Sequence, residues 1–393
     1  MSRRKNISFI VEPFFMCHHV GVRNYLYSLY NLLSRKNTVE LVSFYRSRSG
    51  VKHWYRLVPK LASTLLENSS AHNACLRGTP KQVLRKSQSL RFANHQVTPD
   101  DFYYSHIGSD LSVEDFDVVV ITNPWLVDFE KRFPCRKLIG MVYDTVPNEY
   151  VFTRADKPYH FASNHQQGFL YYREHCDSII AISEKARVDY YEMFKVDENR
   201  VFALPPILPP SYDKVLDVSN DRSQQLLLAS PFDLRKGLAI MPSIINSAKE
   251  SVETLSIYGG IRCTKRNVQT FFRELQVKNV EWYPNATSAT VQQLFSDSKV
   301  MLFPSFDEGL GMPILESQFC GCRTMVRDKP PMNLLTGPGH YFISDKAEKD
   351  GEKLREILCE PFDHRGLQLW AQARFGYDTL LSSSDGAWGE LAG

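Results

Sequence analysis

Apolar residues at 22, 25, 26, 29, 32 and 33 recur at helical spacing, and they predict a helix from Gly21 with one face on a core. A short apolar run at 7–11 precedes it and another at 39–44 follows, so the chain opens as strand, helix, strand. Further buried-type runs lie at 118–122, 138–143 and 178–182. A second series follows at 225–229, 254–258, 280–282, 300–303 and 322–326. Apolar strands alternating with helical stretches predict two α/β domains, each with a doubly wound parallel sheet. Between the series stands Ala203-Leu-Pro-Pro-Ile-Leu-Pro-Pro-Ser-Tyr212, whose four prolines forbid both a helix and a central strand. It reads as an interdomain linker. The expected domains are 1–205 and 206–375, with a tail at 376–393 returning to the first. No internal repeat is evident.

Composition narrows the picture only a little. The 393 residues are 43% hydrophobic and 23% charged, as in ordinary globular proteins. A net charge of +3 gives no global basicity of the kind nucleic-acid partners require. No apolar run is long enough to cross a bilayer, and Met1-Ser-Arg-Arg-Lys-Asn leads into a strand rather than a signal-peptide core. The eight cysteines are scattered; Cys320 and Cys322 have no second pair or nearby histidine to complete a zinc site. Reduced thiols in a cytoplasmic protein are expected. Residues 51–95, read as an insertion in the first domain, hold eight Lys and Arg against one acid, Glu67. Interleaved with Trp54, Tyr55 and leucines, they read equally as a surface for an anionic membrane or as a solvated helical insertion.

The candidate chemistry centres on Glu308-Gly-Leu-Gly-Met-Pro-Ile-Leu-Glu316, after the apolar run 300–303. Gly309, Leu310 and Gly311 form a turn whose backbone N–H groups can approach a ligand closely. Pro313 suits the first residues of a helix. A helix N-terminus there favours an anion, and each carboxylate can accept a pair of sugar hydroxyls. In Ser230-Pro-Phe-Asp-Leu-Arg-Lys-Gly-Leu238, Arg235 and Lys236 fall in a strand-to-helix loop at the carboxyl edge of the second sheet. An Arg fork and a Lys point charge there suit phosphate.

The stretch 303–321 resembles the Glu-x7-Glu signature of retaining glycosyltransferases of the GT-B fold, family 4, with Pro304, Ser305, Gly309, Gly311, Pro313 and Gly321 in register. The likeness is strong from about 225 to 345 and weak before 140. It implies two Rossmann-like domains facing a cleft, and transfer of a sugar from a nucleotide diphosphate to a hydroxyl, with retention and without a metal. Glu316 would hold the ribose and Glu308 the sugar, with Gly309 to Gly311; Arg235 and Lys236 would hold the diphosphate, and Tyr258-Gly259-Gly260 and Tyr283-Pro-Asn285 would flank the base. Pro231 stands where many members carry an earlier Arg. In the first domain, Gly21-Val-Arg23 resembles the family's glycine loop before a helix. Val142-Tyr-Asp-Thr-Val-Pro147 resembles the His-Asp segment of the mannosyltransferase-like group, with Tyr143 in place of His, and Asp144 is a candidate to orient or deprotonate the acceptor. Ser183 reads as a helix N-cap, His18 and His19 as loop residues, and Asp115-Phe-Asp117 as a surface loop rather than a metal site. The expected acceptor is a glycan or lipid-linked glycan in bacterial surface polysaccharide assembly (O-antigen or capsule), on the cytoplasmic membrane face, beside other assembly enzymes. Two further readings are a sugar-nucleotide epimerase or hydrolase of the same fold, and an inactive carbohydrate-binding relative.

Overall fold

A computed structural model describes residues 5–12, 20–46, 52–59, 75–88, 102–108, 116–127, 131–149, 159–212 and 217–382, with 389 and 391. It divides into two compact units, one of residues 1–65, 96–210 and 375–393, the other of 66–95 and 211–374.

The first unit carries an eight-stranded sheet. From edge to edge its strands are Phe102–Gly108, Lys52–Pro59, Thr38–Arg46, Asn6–Ile10, Val118–Ile121, Lys137–Val142, Ser178–Ala181 and Val201–Ala203. The last six are parallel, and the first two join antiparallel. The parallel strands read as continuous apolar runs because helices cover both faces. Val118–Ile121 is buried along its whole length. The helix Val20–Ser34 buries Tyr25, Leu26, Leu29, Leu32 and Leu33, the face expected from the spacing. Ser183 caps the helix Glu184–Phe194 by accepting the Ala186 N–H.

The second unit has seven strands in the order Tyr341–Ile343, Arg323–Arg327, Val300–Phe303, Gln225–Ala229, Thr254–Tyr258, Val280–Tyr283 and Leu76–Gly78. All are parallel except the last, which pairs antiparallel with Val280–Tyr283. The core gathers Phe232, Phe271, Phe272 and Trp282 with aliphatic residues from the strands and helices. The strand order reverses between Gln225–Ala229 and Val300–Phe303, and a switch of this kind opens a crevice at the carboxyl ends of the two strands.

The basic stretch 51–95 is not one helical insertion. Lys52–Pro59 is a strand of the first sheet, with Trp54 and Leu57 buried. Leu76–Gly78 and the helix Pro80–Ser87 belong to the second unit, because Val83 is fully buried in its core and Leu76 and Leu84 pack against that core. Arg77 pairs with Glu281. Residues 60–74 and 89–95 lie outside the described residues. The proline-rich stretch contains the boundary between the units, after Pro210, and is itself packed. Leu204, Ile207 and Leu208 are buried, and the Leu208 carbonyl accepts the Tyr377 hydroxyl at 2.7 Å. No helix among the described residues is long and apolar enough to cross a membrane.

Candidate active site

Two loops leave the switch point of the second sheet. One follows Gln225–Ala229 and makes a short turn, Leu234–Lys236, capped by Asp233, whose carboxylate accepts the Arg235 N–H. The other follows Val300–Phe303 and runs through Pro304 to Gly311 into the helix Met312–Phe319. Gly237 closes the first turn at φ +77°, and a Cβ there would lie 2.4 Å from the Pro304 carbonyl oxygen. Only glycine lets the two loops meet so closely. The Phe306 N–H then donates to the Arg235 carbonyl at 2.9 Å.

This meeting brings Arg235, Lys236 and Glu308 together. Lys236 Nζ is 2.6 Å from Glu308 Oε1, and Arg235 is 3.2 Å from Oε2. Arg235 also donates to the Asp307 carbonyl. Lys236 stands 4.5 Å over the Phe303 ring, a cation–π contact. Burial works against the charge of Glu308, but Lys236 and Arg235, with hydrogen bonds from Lys236 and Ser305, outweigh it and hold the carboxyl below its ordinary range. Lys236 is shifted down, first by burial and also by Arg235, against the pull of Glu308. The two directions agree physically: the carboxylate has two cations, while the lysine has one anion and one cation. The cluster carries one positive charge more than negative, at the mouth of a helix.

Gly311 precedes that helix at φ +91°, and Pro313 lies in its first turn, as expected from the sequence. Among the described residues no acceptor takes the N–H of Leu310 or Gly311, and these are donors that a helix N-terminus leaves for a ligand or water. Glu316 sits on the same helix, only 9% exposed, with no side-chain partner among the described residues. Burial pushes its carboxyl up to about 7. Its charge also bears on the buried Tyr212 and Tyr258 hydroxyls, whose own shifts upward come first from burial. Gly259, at φ +107°, lies against Ser230: a Cβ there would be 2.5 Å from Ser230 Oγ. Its N–H donates to the Tyr283 carbonyl and its carbonyl accepts Trp282 Nε1–H, both at 3.0 Å. The Tyr283 side chain is engaged with Glu281 and Arg77.

The remaining candidates lie in the first unit. Gly21 is exposed at the start of its helix, with open space where a Cβ would stand. The Arg23 side chain, His18, His19 and Asp115 lie outside the described residues. Asp117 pairs with Arg136 as its chain enters Val118–Ile121. Asp144 is half-buried at the carboxyl end of Lys137–Val142 and accepts the Val146 N–H at 3.2 Å. Tyr143 meets the Tyr25 ring edge-on, and burial pushes its hydroxyl well up.

Two features are not evident in the sequence. Ser305 is in register with the motif, which gives it no role, yet it is fully buried and 2.5 Å from Glu308 Oε1. In the first unit, His165 Nδ1 lies 2.7 Å from Asn148 Oδ1, its ring stacks on Trp125, and Trp125 Nε1 donates to Glu12. No local pattern marks these residues, which come from four separate segments.

The two sheets define a GT-B-type fold of two Rossmann-like α/β units, and solved glycosyltransferases of that fold are similar to this chain. HepE of Anabaena, solved in complex with UDP and glucose, matches with a TM-score of 0.59 at 12% identity, over 96% of this chain and 97% of that one. Sucrose-phosphate synthase from Thermosynechococcus elongatus matches at 0.52 and 13% identity, over 96% of this chain and all of that one. WaaG, a glycosyltransferase involved in lipopolysaccharide biosynthesis, matches at 0.51 and 15% identity, over 96% and 95%. No protein-family model and no curated protein sequence matches the chain.

Proposed function

We propose that the chain is a retaining glycosyltransferase of the family 4 kind, moving a sugar from a nucleotide diphosphate to a hydroxyl of a glycan or lipid-linked acceptor. The observation that carries the reading is the cluster of Arg235, Lys236 and Glu308 at the switch point, beside a helix N-terminus. HepE, of the same fold, has been solved with UDP-glucose, which favours a nucleotide-sugar donor here.

The hard step is departure of the diphosphate from the anomeric carbon. Arg235, Lys236 and the N–H groups of Leu310 and Gly311 meet the charge that develops on it, without calling on a divalent ion. Preorganised donors of this kind are commonly the largest catalytic contribution. Glu316 accepts the ribose hydroxyls and Glu308 those of the donor sugar, with Gly309 beside it. Gly259 lies by the base. The acceptor oxygen bonds to the anomeric carbon as the phosphate oxygen leaves, on the same face, and the acceptor proton passes to that phosphate oxygen. Gly21, Arg23 and Asp144 serve the first unit's side of the reaction. A bacterial surface polysaccharide is the proposed product class, assembled at the cytoplasmic face of the membrane; the role of WaaG in lipopolysaccharide biosynthesis favours it.

A thermal-shift screen of nucleoside diphosphate sugars tests this, followed by acceptor assays with the best donor and determination of the product's anomeric configuration. Stabilisation by one donor class and a new glycoside of retained configuration support the reading. A chain that binds no nucleotide sugar sinks it.

A further inference from the structure

Ser305 lies where the two switch-point loops meet and is fully buried. Its hydroxyl oxygen is 2.5 Å from Glu308 Oε1, 3.1 Å from the Asp307 carbonyl and 3.3 Å from the Arg235 carbonyl. A hydroxyl has one proton to give, and the shortest, charge-assisted contact takes it. Three donors therefore converge on one carboxylate: Ser305 and Lys236 on Oε1, Arg235 on Oε2.

Two of these donors are the cations that the proposed function assigns to the diphosphate. A diphosphate carries more charge than a carboxylate and offers more acceptor oxygens, so on arrival it competes with Glu308 for both. Ser305 is neutral, its side chain is short, and it is walled in by the Arg235 and Asp307 backbone. It has no reach to follow the cations.

We propose that Ser305 is a positioning residue: it holds Glu308 in place for the donor sugar when Arg235 and Lys236 turn to the diphosphate. The inference rests on the donor-site reading above. It gives Glu308 two states with one constant partner. With no donor bound the carboxylate offsets one of the two cationic charges; with a donor bound it is free for sugar hydroxyls but still fixed by Ser305. The loops themselves do not depend on this hydroxyl, because the Phe306 N–H to Arg235 carbonyl bond joins them separately.

The test compares Ser305→Ala and Ser305→Cys with the parent chain, using the donor found in the screen and UDP as the bare nucleotide if that donor carries uridine. Each protein is measured for kcat, for nucleotide Kd by calorimetry, for the pH dependence of kcat and for melting temperature. For Ser305→Ala the expected result is a kcat lower by about 10- to 100-fold, the range of a hydrogen bond to a charged group, with Kd changed by less than about threefold. The acid limb of its kcat profile moves to higher pH, because a donor that favours the ionised Glu308 is gone. Ser305→Cys, of similar size with a weak donor, falls between. A kcat within about twofold of the parent overturns the proposal. So does a parallel loss of kcat, affinity and melting temperature with the acid limb unmoved, since that is what a purely structural serine produces. A parent chain that binds no nucleotide sugar fails earlier, at the donor-site reading, so the two failures are distinguishable.

Discussion

Lys236 Nζ stands 2.6 Å from Glu308 Oε1, so the cation expected to hold a phosphate and the carboxylate expected to hold a sugar are partners of one another. The family resemblance implies separate tasks for them, yet each is the other's partner. The pairing has a consequence for the variant Glu308→Gln. It should lower sugar transfer by at least about 100-fold, as loss of a transition-state contact does. It should also strengthen binding of bare nucleoside diphosphate, by about fivefold, because the competing anion is gone. Calorimetry with the nucleotide and initial rates with the full donor check the two halves, and weaker nucleotide binding in the variant would count against competition. The empty variant should also melt earlier, since Arg235 and Lys236 lose their shared counter-charge.

Glu316 gives a pH signature. Its carboxyl is pushed by burial from 4.5 to about 7 in the folded chain. Between those values it is protonated when folded and ionised when unfolded, so its contribution to stability falls as pH rises through that window, with a limiting slope of about 1.4 kcal/mol per pH unit. Glu316→Gln, which cannot ionise, should flatten that dependence in denaturant unfolding. Donor binding runs the other way: the ionised carboxylate is the better acceptor for two ribose hydroxyls, so the parent's donor Kd should tighten as pH rises toward and past 7. The Gln variant should bind more weakly with little pH dependence. An equal slope in parent and variant would remove the ribose role.

Gly259→Ala tests the proposed nucleotide side of the second unit. The substitution places a Cβ 2.5 Å from Ser230 Oγ, at φ +107°, where a side chain is strained whatever the space. Destabilisation of about 1–3 kcal/mol is expected from chemical denaturation. Nucleotide affinity should fall with it, because the carbonyl and N–H of Gly259 tie the end of its strand to Trp282 and Tyr283. Unchanged stability would mean that the turn relaxes freely.

Asp144 separates a cap from a chemical role. Its carboxylate accepts the Val146 N–H, and Asn makes the same bond without the charge. Asp144→Asn should therefore keep the cap and leave the donor Kd unchanged. If the charge orients the acceptor hydroxyl, kcat falls by about 100-fold. A variant with the parental kcat reduces Asp144 to a cap.

Much of this molecule is visible in one dimension. The run Val118-Val-Val-Ile121 reads as a buried strand, and the spacing of Tyr25, Leu29 and Leu32 as one helical face, and the structure has both. The turn Gly309 to Gly311 with Pro313 behind it announces a helix start, and the structure has one there. The antiparallel strands were hidden for a physical reason. Lys52-His-Trp-Tyr-Arg-Leu-Val-Pro59 mixes charges with apolar residues, as a strand outside the parallel core can. Leu76–Gly78 is three residues long, and only the burial of Val83 beside it decides which core it joins.

The residues of the candidate site were legible as types, in loops at the ends of recognisable strands. Their partnerships were not. Lys236 and Glu308 are 72 positions apart, and so are Arg235 and the Asp307 carbonyl. They meet because Gln225–Ala229 and Val300–Phe303 are neighbours at the point where the sheet changes direction, and because Gly237 lets one loop rest on the other. Local periodicity determines strands and helices, since it depends on which face each residue must bury. The pairing of two cations with one carboxylate, and the buried serine that donates to it, depends on strand order, and strand order is decided only when the whole sheet assembles.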